Sequence, residues 1–280
     1  MLAKIDSNMV KREIINFITD FHHKTGVDGV VIGLSGGIDS TVVAYLLKES
    51  IPSENIYSYH LPSSTTPKED TIHARLVAKF LNLQYTEINI DSISKEFLNL
   101  ANHELDINSD INSDIKADNE LKISNKNKAA EGNLKARIRM SLLYYFANLK
   151  NSLVAGTSNK SELLIGYFTK YGDGACDFEP IGDIYKTQLK ILAKSLKIPD
   201  EIIDKPPRAG LWENQTDEEE IGFSYEILDQ VLYFIIDKKL NNDSILNKMN
   251  ISNVEIDCVR NKIANNQHKL HFPPKPFLKL

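Results

Sequence analysis

Cysteine is scarce in this chain of 280 residues, where Cys176 and Cys258 are the only two. That excludes a disulfide framework and a thiolate-rich metal site, and a reducing, cytoplasmic setting is expected. Long apolar runs are also missing. No stretch approaches the roughly 18 uninterrupted apolar residues of a membrane helix, and the opening MLAKIDSNMVKREIINF mixes charges with its apolar residues, so neither a membrane span nor an export signal is expected. An excess of positive charge is lacking too: 33 Lys and Arg stand against 38 Asp and Glu, for a net charge of -5. A protein that tracks a nucleic-acid backbone carries a basic field, so nucleic acid is not expected as a partner. The remainder, 42% hydrophobic and 25% charged, is ordinary globular composition, and one domain over 1–280 is expected.

Hydrophobic spacing alternates along the chain. Val10, Ile14, Ile15, Phe17, Ile18 and Phe21 recur at helical intervals and predict an amphipathic helix over 9–22. Val30, Val31, Ile32, Gly33 and Leu34 form a short apolar run that reads as a buried strand and stops at Ser35-Gly36-Gly37. A helix over about 38–48, a strand over 55–61, a helix over 67–81 and a strand over 85–90 follow. Strands alternating with helices of this length imply parallel pairing through right-handed crossovers, so the expected class is α/β, a doubly wound, mostly parallel sheet flanked by helices.

The segment 106–113 reads DINSDINS, inside a stretch rich in Asp, Asn and Ser that extends to about Lys128. These residues are poor helix interiors, and a flexible insertion over 104–128 is expected; the alternative is an ordered lid over bound substrate. Calcium is not expected there, because the repeat lacks the glycine turn and bidentate glutamate of a calcium loop. A long helix is predicted over 129–149. Its Leu142-Leu143-Tyr144-Tyr145-Phe146 is apolar on nearly every side, which implies burial all round and, in a chain of this size, a homodimer to supply the cover. Leu153, Val154 and Ala155 read as a further strand that ends at Gly156-Thr157-Ser158. Thr216, Asp217, Glu218 and Glu219 have capping-box spacing and open a helix expected to reach about Lys238. The tail Pro273-Pro274-Lys275-Pro276 cannot be helical.

The sharpest chemical signal is Ser35-Gly36-Gly37-Ile38-Asp39-Ser40, an SGGxDS loop between a predicted strand and a predicted helix. Its glycines let backbone N–H groups turn inward and the helix start adds positive potential, which makes a phosphate cradle. It is neither the dinucleotide GxGxxG nor the GxxxxGK[ST] loop, which hold phosphates for different chemistry. Asp39 among phosphate-binding groups needs a cation, and Mg2+ is the sensible one. The plain alternative is a structural strand-to-helix turn. Further on, Gly172-Asp173-Gly174-Ala175-Cys176-Asp177 is a glycine-rich loop with Tyr167, Phe168 and Tyr171 beside it and Lys170 and Lys186 on either side. Aromatics stack on a nicotinate or adenine ring and lysines pair with phosphates, as a dinucleotide requires; a solvated loop with a few core aromatics is the bland alternative.

The SGGxDS loop resembles the signature of the ATP-pyrophosphatases, which split ATP between its α and β phosphates to adenylylate a carbonyl or carboxylate oxygen. Within that superfamily the chain is similar to the NAD synthetases over nearly its whole length. Residues 132–140, GNLKARIRM, resemble the family's GNxxARxRM segment; 156–162, GTSNKSE, its GTxNxxE segment; and 166–188, GYFTKYGDGACDFEPIGDIYKTQ, its most distinctive stretch. The resemblance implies that Gly33, Leu34, Ser35, Gly36, Gly37, Ile38, Asp39, Ser40, Thr157, Lys186 and Arg208 serve ATP, and that Asp39 and Glu162 hold Mg2+. It gives Arg137, Lys170, Asp177, His268 and Lys269 to deamido-NAD, with 265–280 a C-terminal segment contributing to that site. Two departures stand out. Leu270 replaces a usual Arg, with His271 a possible substitute, and Arg208 replaces a usual Ser or Thr and cannot accept a hydrogen bond as a hydroxyl does.

The activity so implied is amidation of deamido-NAD by ammonia, with ATP as co-substrate and AMP and pyrophosphate released, a ligase reaction that forms a C–N bond. Asp173 or Asp177 is the candidate catalytic group that holds or deprotonates the incoming ammonium. Ammonia is the expected nitrogen source, because a glutamine-using version needs a further domain of roughly 150–300 residues and the first strand already begins by Val30. Cys176 is read as a small packing residue rather than a nucleophile, since no step needs a thiolate. His22, His23, His60, His73 and His103 show no ligand pattern and are read as surface or packing residues. Trp212 is expected beneath its loop. The competing readings are a tRNA-modifying relative, against which the charge and cysteine count argue, and a non-catalytic nucleotide-binding regulator.

Overall fold

Val30, Val31 and Ile32 are all fully buried, as an apolar run covered on both faces must be. They lie in strand β1 (Gly29–Gly33), the centre of a sheet in a computed structural model that describes residues 1–108, 117–212 and 215–277, with side chains over 102–126 outside the description. With β2 (Ile56–His60), β3 (Gln84–Glu87) and β4 (Ser152–Ala155) the order is β3-β2-β1-β4 and every pairing is parallel. Val31 stands opposite Tyr57 on one side and Val154 on the other. The chain leaves β1 towards β2 and returns on its other side as β4, so the strand order reverses beside the C-terminal end of β1, where α/β sheets open their ligand crevice. The expected doubly wound parallel sheet is the observed one.

Helices cover both faces. Helix α1 (Ser7–Thr25) starts on Asp6, whose carboxylate accepts from the Asn8 and Met9 amides, and ends on Gly26 in the left-handed region. With α2 (Ile38–Ser50) and α3 (Lys68–Phe80) it packs on the face to which Val30 and Ile32 point. The opposite face, marked by Val31 and Val154, takes Ile138, Met140, Leu143 and Ala147 from one long helix. That helix, α5 (Ala117–Leu149), follows α4 (Asp91–Asn108). The insertion expected over 104–128 is therefore helical in its described parts, through Asn108 and again from Ala117; its middle, 109–116, lies outside the described residues. α5 is also not buried all round, since Tyr145 and Leu149 are 58% and 63% exposed in the single chain.

Beyond β4, α6 (Lys160–Ile165) and α7 (Lys186–Ser195) carry the site, and α8 (Asp200–Ile203) joins the first core. A smaller core gathers Ile165, Tyr185, Leu228, Val231 and Val259. The helix expected from Thr216 to about Lys238 is three pieces: α9 (Asp217–Ile221), α10 (Tyr225–Leu232) and a π-helical turn at Tyr233–Asp237. Gly222, at φ +81°, closes α9 in a conformation that hydrophobic spacing does not register. The capping box is incomplete as well, because the Thr216 hydroxyl donates to the Glu219 carboxylate (2.7 Å) rather than accepting a backbone N–H. α11 (Asn242–Leu246) and α12 (Asn253–Asn266) complete the helices, and the proline-rich tail leaves helical structure as expected.

Candidate active site

The end of β1 and the start of α2 form the SGGxDS turn. Gly36 has φ +83°, and a Cβ there would stand 2.0 Å from the Asp70 carbonyl oxygen, so no other residue fits. Gly37 caps α2 with its backbone alone. The two serines brace the turn: Ser35 and Ser40 hydroxyls lie 2.9 Å apart, the Gly37 amide donates to Ser35 Oγ, and Ser40 Oγ accepts from the Ser35 amide. The loop opens into a cavity of about 430 Å³ lined by Gly33, Leu34, Ser35, Gly37, Ile38, Asp39 and Ser40.

Across the cavity, Asn159 caps α6 and sets two carboxylates. Its side-chain oxygen accepts the Glu162 amide, its backbone N–H donates to Glu162 Oε2, and its Nδ2 donates to Asp39 Oδ1 (2.9 Å). One oxygen of each carboxylate remains, and both turn to Lys186 Nζ, at 2.6 Å from Asp39 Oδ2 and 3.3 Å from Glu162 Oε1. Lys186 is 2% exposed and begins α7, where a cation opposes the helix dipole, so its position is dictated by the carboxylates and not by the helix. Burial works against its charge, but Asp39 and Glu162 outweigh it and hold the ammonium protonated. Burial raises the Glu162 carboxyl, with Lys186 opposing and Asp39 and Asp217 adding to the rise. Asp217, raised by burial to about 6, accepts from Tyr167 (3.1 Å), and the Tyr167 hydroxyl also reaches Glu220 (2.6 Å).

Two oxygens converging on one cationic point suit Mg2+, which takes one or two carboxylates and completes its shell with phosphate oxygens and water. Among the described residues no group of three or more His, Cys, Asp or Glu is gathered for a metal, so a phosphate-bearing ligand has to supply the rest.

Thr157 and Asp173 also line the cavity. Burial raises the Asp173 carboxyl, against the Thr169 amide that donates to it at 2.9 Å. Arg208 lines the cavity but spends its terminal nitrogen on Glu69 and Asp70, at 3.0 and 3.1 Å, leaving a buried Nε with no partner. Lys269 is on the wall, donating to the Gly166 and Phe168 carbonyls. The other residues assigned to deamido-NAD do not line it. Arg137 donates to the Lys170 carbonyl and Lys170 to the His268 carbonyl (2.7 Å), linking the three residues beside the cavity. Asp177 is occupied with structure, taking the Val154 amide at 2.7 Å and the Tyr144 hydroxyl at 3.3 Å.

Several wall residues were given no role from the sequence, although Arg139 stands in the GNLKARIRM segment. Arg139 lies on the wall with its Nε on the Leu61 carbonyl (2.8 Å), and burial brings its guanidinium down to about 10 while Asp173 and Asp91 pull it up. His60, read as packing, is buried on the wall between the Leu34 carbonyl and Thr71, and burial lowers its pKa. Lys205 ties the Gly36 carbonyl, Asp70 and His73 together at 2.7 to 3.0 Å. Spacing could not place these residues, because each meets the site only through the fold. Trp212 packs on Gly132 of α5, and burial pushes the Cys176 thiol up, which keeps it protonated and fits the packing role.

A parallel sheet with an SGGxDS loop at its reversal point, faced by a lysine and paired carboxylates, defines an α/β nucleotide-binding protein of the ATP-pyrophosphatase type. The NAD synthase family model matches residues 10–273, and the chain belongs to that family. The NH(3)-dependent NAD(+) synthetase of Methanocaldococcus jannaschii is 44% identical over 94% of this chain and 96% of its own length. Among solved structures, the NMN synthetase of Francisella tularensis superposes with TM-score 0.79 at 30% identity, over 98% of this chain and all of that one. The NH3-dependent NAD synthetase of Campylobacter jejuni gives 0.75 at 33% identity with the same coverage.

Proposed function

We propose that this chain amidates deamido-NAD with ammonia and ATP to give NAD, AMP and pyrophosphate. The observation that carries the reading is the convergence of Lys186 and Glu162 on Asp39 of the SGGxDS turn inside one cavity. A carboxylate does not form an amide with ammonia in water, because proton transfer makes a salt and the oxygen is a poor leaving group. Adenylylation removes both obstacles. The nicotinate carboxylate attacks the α-phosphorus of ATP, and pyrophosphate leaves towards the amides of 35–40 and the Lys186 ammonium, which meet the charge as it develops. Asp39 and Glu162 would hold Mg2+, which would supply charge neutralisation at the phosphates. Asp173, whose carboxyl is raised above its ordinary range, takes a proton from ammonium; ammonia adds to the carbonyl and AMP departs. Thr157 and Arg208 contact ATP, and the unpartnered Arg208 Nε suits a ligand oxygen.

The Arg137, Lys170 and His268 rim, with Asp177 and Lys269, takes the far half of the dinucleotide, and a homodimer covers the exposed side of α5. Among the described residues no helix is long and apolar enough to cross a membrane, in keeping with a cytoplasmic enzyme. The test incubates the protein with deamido-NAD, ATP, Mg2+ and ammonium or glutamine and follows NAD, AMP and pyrophosphate; equal yields of the three products with ammonium alone support the reading, and no product in either tube overturns it.

The likeness to an NMN synthetase favours one second reading, in which nicotinate mononucleotide is the acceptor. The rim discriminates the two. Paired Arg137→Ala and Lys170→Ala substitutions raise KM for deamido-NAD if the ligand extends beyond the cavity, and leave turnover of the mononucleotide alone if it does not.

A further inference from the structure

Glu179 is a half-buried carboxylate that the reaction, as set out above, does not use. Its Oε2 accepts the Ser158 amide (3.1 Å) and its Oε1 the Cys176 thiol (3.2 Å). Ser158 follows Thr157 in the turn that ends β4, and Cys176 lies in the loop that carries Asp173, so one side chain joins the two loops that deliver these groups to the cavity wall. The join is tight. A Cβ at Gly156 would stand 2.3 Å from the Glu179 carboxyl carbon, so the carboxylate reaches the turn only because residue 156 is glycine.

We propose that Glu179 is a positioning residue for the amidation, clamping the Gly156–Ser158 turn to the Gly172–Asp177 loop and so setting Thr157 against Asp173. The clamp rests on the proposed function. A carboxylate presents two strong acceptors to these two donors, whereas a neutral carboxyl or an amide keeps one strong acceptor and turns a donor group to the other partner. Protonation therefore loosens one loop. Burial pushes the Glu179 carboxyl up to about 7, the Cys176 and Ser158 hydrogen bonds oppose it, and Asp173 adds to the rise. The far side of Glu179 borders a second cavity, of about 470 Å³, whose wall brings Glu13 from α1, Lys160 from α6, Tyr185 and Asp183 from the following loop, and Asp237 from the π-helical turn. Lys160 is already paired with Asp183 and Asp237, at 2.9 Å each, so among the described residues of this wall no free cation holds the Glu179 charge, and solvent protons reach it through this cavity.

The test compares full-length wild type, Glu179→Gln and Cys176→Ser with deamido-NAD, ATP, Mg2+ and ammonium from pH 5.5 to 8.5, beside the 15N shift of the Ser158 amide. Glu179→Gln is expected to keep its fold and its KM for ATP, lose kcat roughly ten- to a hundredfold through misplacement of the reacting groups, and lose the acidic limb near pH 7. Cys176→Ser, with a stronger donor on the carboxylate, shifts that limb to lower pH. An unchanged profile in Glu179→Gln, or a lower kcat with the limb still in place, overturns the clamp while leaving the proposed function standing. If wild type makes no NAD, the function reading fails and the amide decides: a Ser158 shift that titrates near pH 7 in wild type and not in Glu179→Gln upholds the clamp, and a flat one rejects it.

Discussion

Lys186 is the residue on which the site balances. It is buried, yet its charge is fixed by Asp39 and Glu162, so removing it strands two carboxylates that then face each other across the cavity mouth. Lys186→Met is expected to lower kcat/KM by roughly 10²–10³, the usual cost of deleting a preorganised charge at a reacting phosphate, measured as pyrophosphate release at saturating ammonium. Asp217 gives a pH prediction. Its carboxyl is raised by burial to about 6, so the folded protein holds that proton more tightly than the unfolded chain does. Stability from this group is therefore full below the ordinary carboxylate range and is lost as pH rises to about 6, by roughly 3 kcal/mol at most. Asp217→Asn removes the ionisation, so the unliganded variant melts above wild type at pH 7.5 and draws level near pH 4, as calorimetry across that range would show. Of the residues named from motifs, Asp39, Glu162, Lys186, Thr157 and Asp173 do meet in one cavity, because each closes a loop at the same end of the sheet.

At the scale of the element, the turn into α2 and the cap of α6 matter most. Gly36 combines a left-handed φ with a carbonyl 2.0 Å from where a Cβ would go, so Gly36→Ala must move either the loop or α3. It is expected to cost about 1–3 kcal/mol, seen as a lower denaturation midpoint, and to abolish ATP binding by calorimetry. Asn159 does two tasks at once, capping α6 and orienting Asp39 and Glu162. Asn159→Ala should cost about 1 kcal/mol of stability as a lost cap, and in addition raise KM for ATP; a stability loss with unchanged kinetics would confine Asn159 to capping. Element positions were largely legible in the chain. β1, α2, β2 and α3 stand where periodicity puts them, since each is an unbroken run of one period. The break at Gly222 was not legible, because a single glycine in a periodic pattern costs little until the tertiary structure asks the chain to turn there.

For the whole molecule, the exposed Tyr145 and Leu149 on α5 bear on assembly. The proposed homodimer predicts twice the 31.7 kDa chain mass by sedimentation, and a Tyr145→Glu, Leu149→Glu double variant that sediments as one chain. A wild-type monomer would reject it. The rim of Arg137, Lys170 and His268 lies beside the cavity rather than in it, and under the proposed function the rim and the cavity take the two halves of the dinucleotide.

The sequence by itself determined the parallel α/β class, the phosphate loop and its aspartate, and the family, because these reside in contiguous residues whose spacing is the signal. It determined the candidate roles of Lys186 and Glu162 in the same way, through the motifs that contain them. Only the tertiary structure decided that Asn159 aims both carboxylates, that Arg139, His60 and Lys205 reach the cavity, that Asp177 braces β4, and that Glu179 joins two loops. Those residues reach across separations from 21 positions, for Glu179 and Ser158, to 169, for Lys205 and Gly36, and hydrogen bonds of about 3 Å between such segments leave no period in the chain that could announce them.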